Sequence, residues 1–247
     1  MKFIAFLKWL IWLVLGFFIS GVIGIVIDKS NLMTTLFGSL GTTIGTQIND
    51  IWWFLPLALL NMLFFHYAIG WWGAKAGLAW LLLLPYLLYA VVSTIAQEIT
   101  WNITALVYLI GALVVGLTEE YIFRGALFAA FKKAGVGETS LIVVSALIFA
   151  AFHMVNGLAG GNLIALAFQV LFTFGLGIFL GVIYLKTKAL LPIAFAHGFY
   201  DFSVLAPGHA LFNMGGITNI LILTIALIIL GIVCTRRRLH SKRAAQT

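Results

Sequence analysis

Apolar residues run along this chain in long blocks, broken by short polar or glycine-containing stretches rather than by an alternating or amphipathic pattern. A helix that crosses a bilayer needs about 20 consecutive, mostly apolar residues. By that measure the chain predicts helices over 4–27, 51–70, 78–97, 103–131, 140–156, 162–185, 189–205 and 217–234. The fold class is therefore all-α: a bundle of about eight transmembrane helices around an intramembrane cavity. The fourth block is too long for one straight span. At about 1.5 Å per residue its 29 positions would reach about 43 Å, so it must tilt, project from the bilayer or break. The fifth and seventh are short enough to lie buried in the bundle. The stretch 30–50, rich in Gly and Thr, is the one long polar segment between spans and predicts a loop or a short interfacial helix. The first block, beginning after Lys2 and Lys8, is too long for the core of a secretory leader and no small-residue cleavage pattern follows it, so it reads as a retained helix. With no linker, repeat or soluble segment apparent, residues 1–247 read as a single polytopic membrane domain.

Composition sharpens this. Hydrophobic residues make up 63% of the chain and charged ones 9%, too few charges to cover a water-soluble surface. The single cysteine, Cys234, excludes an internal disulfide framework and a cysteine-based zinc site. A net charge of +7 suggests nucleic acid at first sight, but its placement is topological. With the C-terminus in the cytoplasm and eight spans, twelve of the 14 basic residues fall on the cytoplasmic side. They are Lys2, Lys8, Lys75, Lys132, Lys133, Lys186, Lys188 and the tail Arg236, Arg237, Arg238, Lys242 and Arg243. Only Lys29 falls outside, and Arg124 lies within a helix. That is the positive-inside pattern, with both termini cytoplasmic, a bilayer as partner and no nucleic acid. Trp52, Trp53, Trp71 and Trp72 bracket the second span as interfacial aromatics do.

Charge within a membrane is expensive and usually faces the bundle interior or water, so the few intramembrane polar residues carry the information. They form three groups. In Glu119-Glu120-Tyr121-Ile122-Phe123-Arg124, Glu120 and Arg124 are four apart and can pair on one face. Glu119 points about 100° away, without a partner on its own turn. In Phe149-Ala-Ala-Phe-His153, ring and imidazole share a face. In His197-Gly-Phe-Tyr-Asp201, the carboxylate sits beside the imidazole, where it can orient the ring. From the helix ends marked by Lys132/Lys133 and Lys186/Lys188, Glu119 lies about 18 Å deep, His153 about 20 Å and His197 about 12 Å. Depth therefore permits one layer. A carboxylate and a histidine can hold and deprotonate water, and a second histidine can donate to an oxyanion. The same Glu119, His153 and His197 are also a plausible three-ligand set for a divalent metal such as zinc. The spacing H-E-x-x-H and a G-x-S-x-G elbow are both absent.

Taken in order on successive helices, Glu119-Glu120-x-x-x-Arg124, Phe149-x-x-x-His153 and His197-x-x-x-Asp201 resemble the CPBP family of intramembrane proteases (CAAX protease and bacteriocin-processing, also called Abi). The resemblance covers 100–205. It implies an eight-helix bundle with a conical cavity, and an endopeptidase that cleaves a membrane-associated peptide or protein. It implies Glu119 as the water-activating carboxylate, His153 as its helper, and His197 with Asp201 at the oxyanion-stabilising positions. Glu120, Arg124 and Phe149 become structural support. Members with Asn at the position of Asp201 have a better neutral donor there; an ionised Asp201 serves better to orient His197. The family has been described both as metal-dependent and as metal-independent. Its short loops suggest a prokaryotic plasma-membrane protein. Two other readings use the same cavity: a non-catalytic scaffold or chaperone for hydrophobic peptides, and a proton-coupled transporter with Glu, His and Asp as relays. No inverted repeat supports the transporter. Gly175, Gly177 and Gly181 read as helix-packing positions, Asn102-Ile-Thr104 as a chance glycosylation sequon, and His66 and His209 as residues without a role.

Overall fold

The computed structural model describes residues 2–29, 31–38, 53–155, 162–205 and 221–233. Among these every regular element is helical. They are α1 (Lys2–Lys29), α2 (Leu32–Phe37), α3 (Trp53–Phe65), α4 (Ala76–Ala96), α5 (Ile103–Lys133), α6 (Glu138–Phe152), α7 (Leu163–Thr187), α8 (Leu190–Leu205) and α9 (Leu221–Val233). The expected all-α membrane architecture holds. Long, apolar helices able to cross a membrane number five among the described residues: α1, α4, α5, the stretch Glu138–Val155 that contains α6, and α7. The spans expected over 51–70, 189–205 and 217–234 appear as the shorter apolar helices α3, α8 and α9. Within the polar stretch 30–50, α2 is the interfacial-type helix expected there. His209, Cys234, Trp52 and the basic tail lie outside the described residues.

The outer faces are unlike those of a soluble protein. Phe18, Leu81, Val92, Ile95 and Leu163 are all largely exposed. Apolar surface on this scale is stable against lipid, not against water. Inside, one apolar core unites α1 and α3 to α9, with Trp12, Leu57, Leu83, Phe123, Phe149 and Phe179 among its fully buried members. Side-chain caps start two of the helices. Asn102 accepts from the Ala105 amide at 2.9 Å, and Asn162 accepts from Ile164 and Ala165, supplying partners for orphan first-turn donors. The Asn102 sequon is thus a helix start.

The long α5 resolves its length by a change of winding. Residues Ile103–Glu120 are α-helical, Tyr121–Ala126 form a π-helical turn, and Leu127–Lys133 return to α. A π turn adds a residue to the circuit and loosens the carbonyl ladder. Side chains from two neighbours use those carbonyls: Trp9 donates to Ile122 at 3.3 Å and Ser145 donates to Phe123 at 3.3 Å. All six residues of the turn are buried.

The short α8 is the hub. It packs against α4 on one side and against the first part of α5 on the other. Its contact with α5 is backbone on backbone. A Cβ at Gly116 would stand 2.5 Å from the Gly198 nitrogen and 2.6 Å from the Ala194 oxygen. One at Gly198 would stand 2.4 Å from the Ala112 oxygen. Only glycine permits that approach. The N-terminus of α8 is tied to the loop before α4, since Leu190 and Leu191 donate to the carbonyls of Gly70 and Trp71 at 2.8 and 3.1 Å. On α7, Gly177 meets Ala146 of α6 at 2.8 Å from its hypothetical Cβ, the close packing that the glycines of this helix suggested.

Candidate active site

The Gly116–Gly198 crossing decides what faces what. Glu119 and Glu120 lie one turn beyond Gly116, and His197 is the neighbour of Gly198. With the two backbones touching, the imidazole is set between the two carboxylates. His197 Nδ1 donates to Glu120 Oε1 at 3.0 Å, and its Nε2 stands 3.6 Å from Glu119 Oε2 and 3.6 Å from Asp201 Oδ2. Glu120 Oε1 also accepts from Arg124 Nη1 at 2.7 Å. This is the i, i+4 pair expected from the spacing, now within a chain Arg124–Glu120–His197.

α6 brings the third element. Its last turn ends at His153, whose Nδ1 meets the Phe149 carbonyl oxygen at 2.9 Å. A carbonyl only accepts, so that nitrogen carries the proton, and in the neutral ring Nε2 presents a lone pair. That Nε2 stands 4.0 Å from Glu119 Oε1. The Phe149 ring fills the centre: its edge-to-face contacts reach His153 at 4.7 Å and His197 at 5.7 Å, and the Arg124 guanidinium lies 4.5 Å over its centroid. All seven residues read from the three motifs thus meet in one cluster. Glu119 pairs not on its own helix but across the bundle, with imidazoles from α6 and α8.

Exposure divides the cluster. Glu120 and Arg124 are wholly buried, with His197 at 3% side-chain exposure, whereas Glu119, Asp201 and His153 retain 18, 19 and 12%. The accessible atoms are those with unspent lone pairs, and the ion pair stands behind them. Arg124 Nε and Nη2 and Glu120 Oε2 have no hydrogen-bond partner, and buried polar capacity left unmatched is costly. Such an arrangement would be a poor way merely to stabilise helix packing. One detail differs from expectation. The oriented nitrogen of His197, Nδ1, is held by Glu120, while Asp201 lies beside Nε2. The i, i+4 geometry allowed an Asp201 contact, but the Gly116–Gly198 crossing brings Glu120 closer.

Metal ligation was the other chemistry open to Glu119, His153 and His197. Two ligands of one tetrahedral zinc ion stand about 3.3 Å apart, given bonds of about 2.0–2.1 Å. The Nε2–carboxylate separations here are 3.6 and 4.0 Å. Among the described residues no group of three or more His, Cys, Asp or Glu is arranged to hold a metal ion. The residues as placed do not fit one.

Two glycines essential to the geometry, Gly116 and Gly198, escaped the sequence reading. The signal was present, since small residues in apolar helices mark close approach. Here they stand three before Glu119 and directly after His197.

An all-helical membrane protein with a carboxylate flanked by two oriented imidazoles at the meeting of three helices belongs to the class of polytopic membrane proteins with a buried polar reaction centre. Residues 100–203 match the family model described as type II CAAX prenyl endopeptidase Rce1-like. This core, which contains all three motifs, belongs to the CPBP/CAAX protease family, and at family level that supports an intramembrane protease. No curated protein matches the chain.

Proposed function

We propose that this protein is an endopeptidase that hydrolyses a peptide bond in a membrane-associated protein or peptide by glutamate-activated water. The observation that carries the reading is the convergence of two imidazole Nε2 atoms on Glu119 while each Nδ1 is held elsewhere. In this mechanism Glu119 and His153 hold a water between them. Glu119 takes one of its protons as the oxygen attacks the scissile carbonyl carbon. The carbonyl π pair moves onto oxygen, and His197, donating from Nε2 while Nδ1–H remains on Glu120, stabilises that oxyanion. Collapse re-forms the carbonyl and breaks the C–N bond, and Glu119 returns the proton to the leaving amine. Asp201 positions His197 from the other side of Nε2, and Arg124 balances Glu120.

The substrate class follows the family description: a membrane-bound tail or leader, with prenylated CAAX-type tails one case. The location we propose is a prokaryotic plasma membrane with both termini in the cytoplasm. Supporting this orientation, Lys8, Lys132, Lys133 and Lys188 line one cavity and therefore share one end of the bundle, the side that the positive-inside rule assigns to the cytoplasm.

The test is cleavage of quenched-fluorescence peptides, soluble and membrane-anchored, by purified protein in detergent, with and without a chelator. Glu119→Gln keeps the shape and removes the base. It should lower cleavage by about 10²–10⁴-fold, the usual worth of a general base, with an unchanged melting temperature. Equal cleavage by both proteins would remove Glu119 from the mechanism. A folded wild type that cleaves nothing, anchored substrates included, would favour the scaffold reading. Loss on chelation would restore the metal.

A further inference from the structure

A second cavity, of about 1110 Å³, opens at the lysine-bearing end of the bundle, between the start of α1, the end of α5, the end of α7 and the loop after α3. None of Glu119, His153, His197 or Asp201 lines it. Four ammonium groups do, those of Lys8, Lys132, Lys133 and Lys188, and no carboxylate does. Lys188 rests over the Tyr184 ring at 5.2 Å, and the Tyr184 hydroxyl accepts from the Gly70 amide at 3.0 Å. These contacts hold one wall in place.

Three observations give this cavity an occupant. The first is charge: four cations in a concave site without a counter-charge call for an anion. The second is the apolar wall. Ile4 and Phe64 line the cavity and are also 56 and 69% exposed on the outer face of the bundle. The charged floor therefore runs without interruption into the surface that lipid covers. The third is backbone strain. His66 and Lys188, both lining residues, hold positive φ angles of 53 and 54°, a conformation that non-glycine residues avoid and that concentrates at ligand sites. A purely ionic ligand would not need the apolar wall, and a neutral lipid would not need the lysines.

We infer that this cavity is a binding site for an anionic phospholipid, its phosphate among Lys8, Lys132 and Lys133 and its acyl chains along Ile4 and Phe64. The lipid would pin α1 to the end of α5, two elements joined here chiefly by Phe6 against Phe131, 6.2 Å between ring centroids. Nothing in this depends on the protease reading, and the test needs no activity.

The experiment is thermal unfolding of the purified full-length protein in lipid nanodiscs, with native mass spectrometry of the detergent-purified protein as a second readout. Nanodiscs of phosphatidylcholine alone are compared with nanodiscs containing a graded fraction of phosphatidylglycerol. Phosphatidylglycerol should raise the melting temperature and remain bound in the mass spectrum. Lys132→Gln/Lys133→Gln should weaken its apparent affinity by about 30-fold, the worth of two lysines near an anionic lipid surface. Lys2→Gln/Lys75→Gln removes the same charge outside the cavity and should leave it unchanged. If both double variants weaken binding equally, the effect is general surface charge and the site falls. If inorganic phosphate stabilises the protein in phosphatidylcholine as well as phosphatidylglycerol does, the ligand is a soluble anion and the lipid assignment falls. If a peptide with a free C-terminal carboxylate does so, the cavity takes substrate instead.

Discussion

Replacing Gly198 by alanine tests the claim that a backbone contact builds the site. The added methyl carbon would lie 2.4 Å from the Ala112 oxygen and 2.6 Å from the Leu113 Cα. The first is about 1 Å inside ordinary van der Waals contact. Both obstacles are backbone, so no side chain can swing away, and α8 must move from α5 by about that amount. Overpacking of this kind costs about 1–3 kcal/mol. The displacement falls directly on His197, whose bond to Glu120 is 3.0 Å and whose approach to Glu119 is 3.6 Å. A 1 Å misplacement of a reacting group can cost about 10²-fold in rate. Gly77→Ala is the matched control, because nothing lies within 4 Å of its hypothetical Cβ. It should leave both melting temperature and cleavage rate near wild type. The assay pairs thermal unfolding in detergent with peptide cleavage at a temperature where both variants are folded. A Gly198→Ala protein that melts and cleaves like Gly77→Ala would refute the crossing as the origin of the geometry.

The remaining expectations are more local. Glu120→Gln leaves Arg124 buried without its counter-charge and should cost about 3–5 kcal/mol in chemical unfolding; adding Arg124→Met should recover much of that loss, and a double variant no more stable than the single one would contradict it. Asn61 receives the Tyr67 amide at 2.6 Å and donates to the Tyr67 carbonyl and the Tyr121 hydroxyl. Asn61→Ala should therefore speed hydrogen exchange at the backbone amides of 66–75 and cost about 1–3 kcal/mol, and unaltered exchange there would show that the loop is held by other contacts. His153→Gln should lower the cleavage rate while leaving the melting temperature within about 1 kcal/mol of wild-type stability, since His153 makes one backbone contact at the partly exposed end of its helix; a rate equal to wild type would remove it from the water-holding role.

Much of this molecule is written along the chain. Block lengths of apolar residues announced the helices, because a bilayer requires every backbone polar group to be satisfied within a helix or closed barrel. The observed α4 (Ala76–Ala96) and α7 (Leu163–Thr187) lie within two residues of their expected bounds. The cost of buried charge singled out Glu119, Glu120, Arg124, His153, His197 and Asp201 before any geometry was available. The pairing of Glu120 with Arg124 was likewise readable, since i, i+4 neighbours share a face of any helix.

What the chain could not express is how three helices face one another. That Glu119 looks at His153 and His197, and that Glu120 rather than Asp201 holds His197 Nδ1, depends on the rotation of each helix about its axis. Local spacing is silent on that rotation; interhelical packing sets it. The π turn at Tyr121–Ala126 shifts the facing of everything after Glu120, and the Gly116–Gly198 crossing sets the distance between α5 and α8. The lysine cavity has the same origin. Lys8, Lys132, Lys133 and Lys188 are far apart in sequence, and only the packing of α1, α5 and α7 gathers them around one space. Composition determined which groups must be hidden or hydrated, because transfer free energies belong to residues. Tertiary structure decided which of them meet, because contact distances belong to the packed backbone.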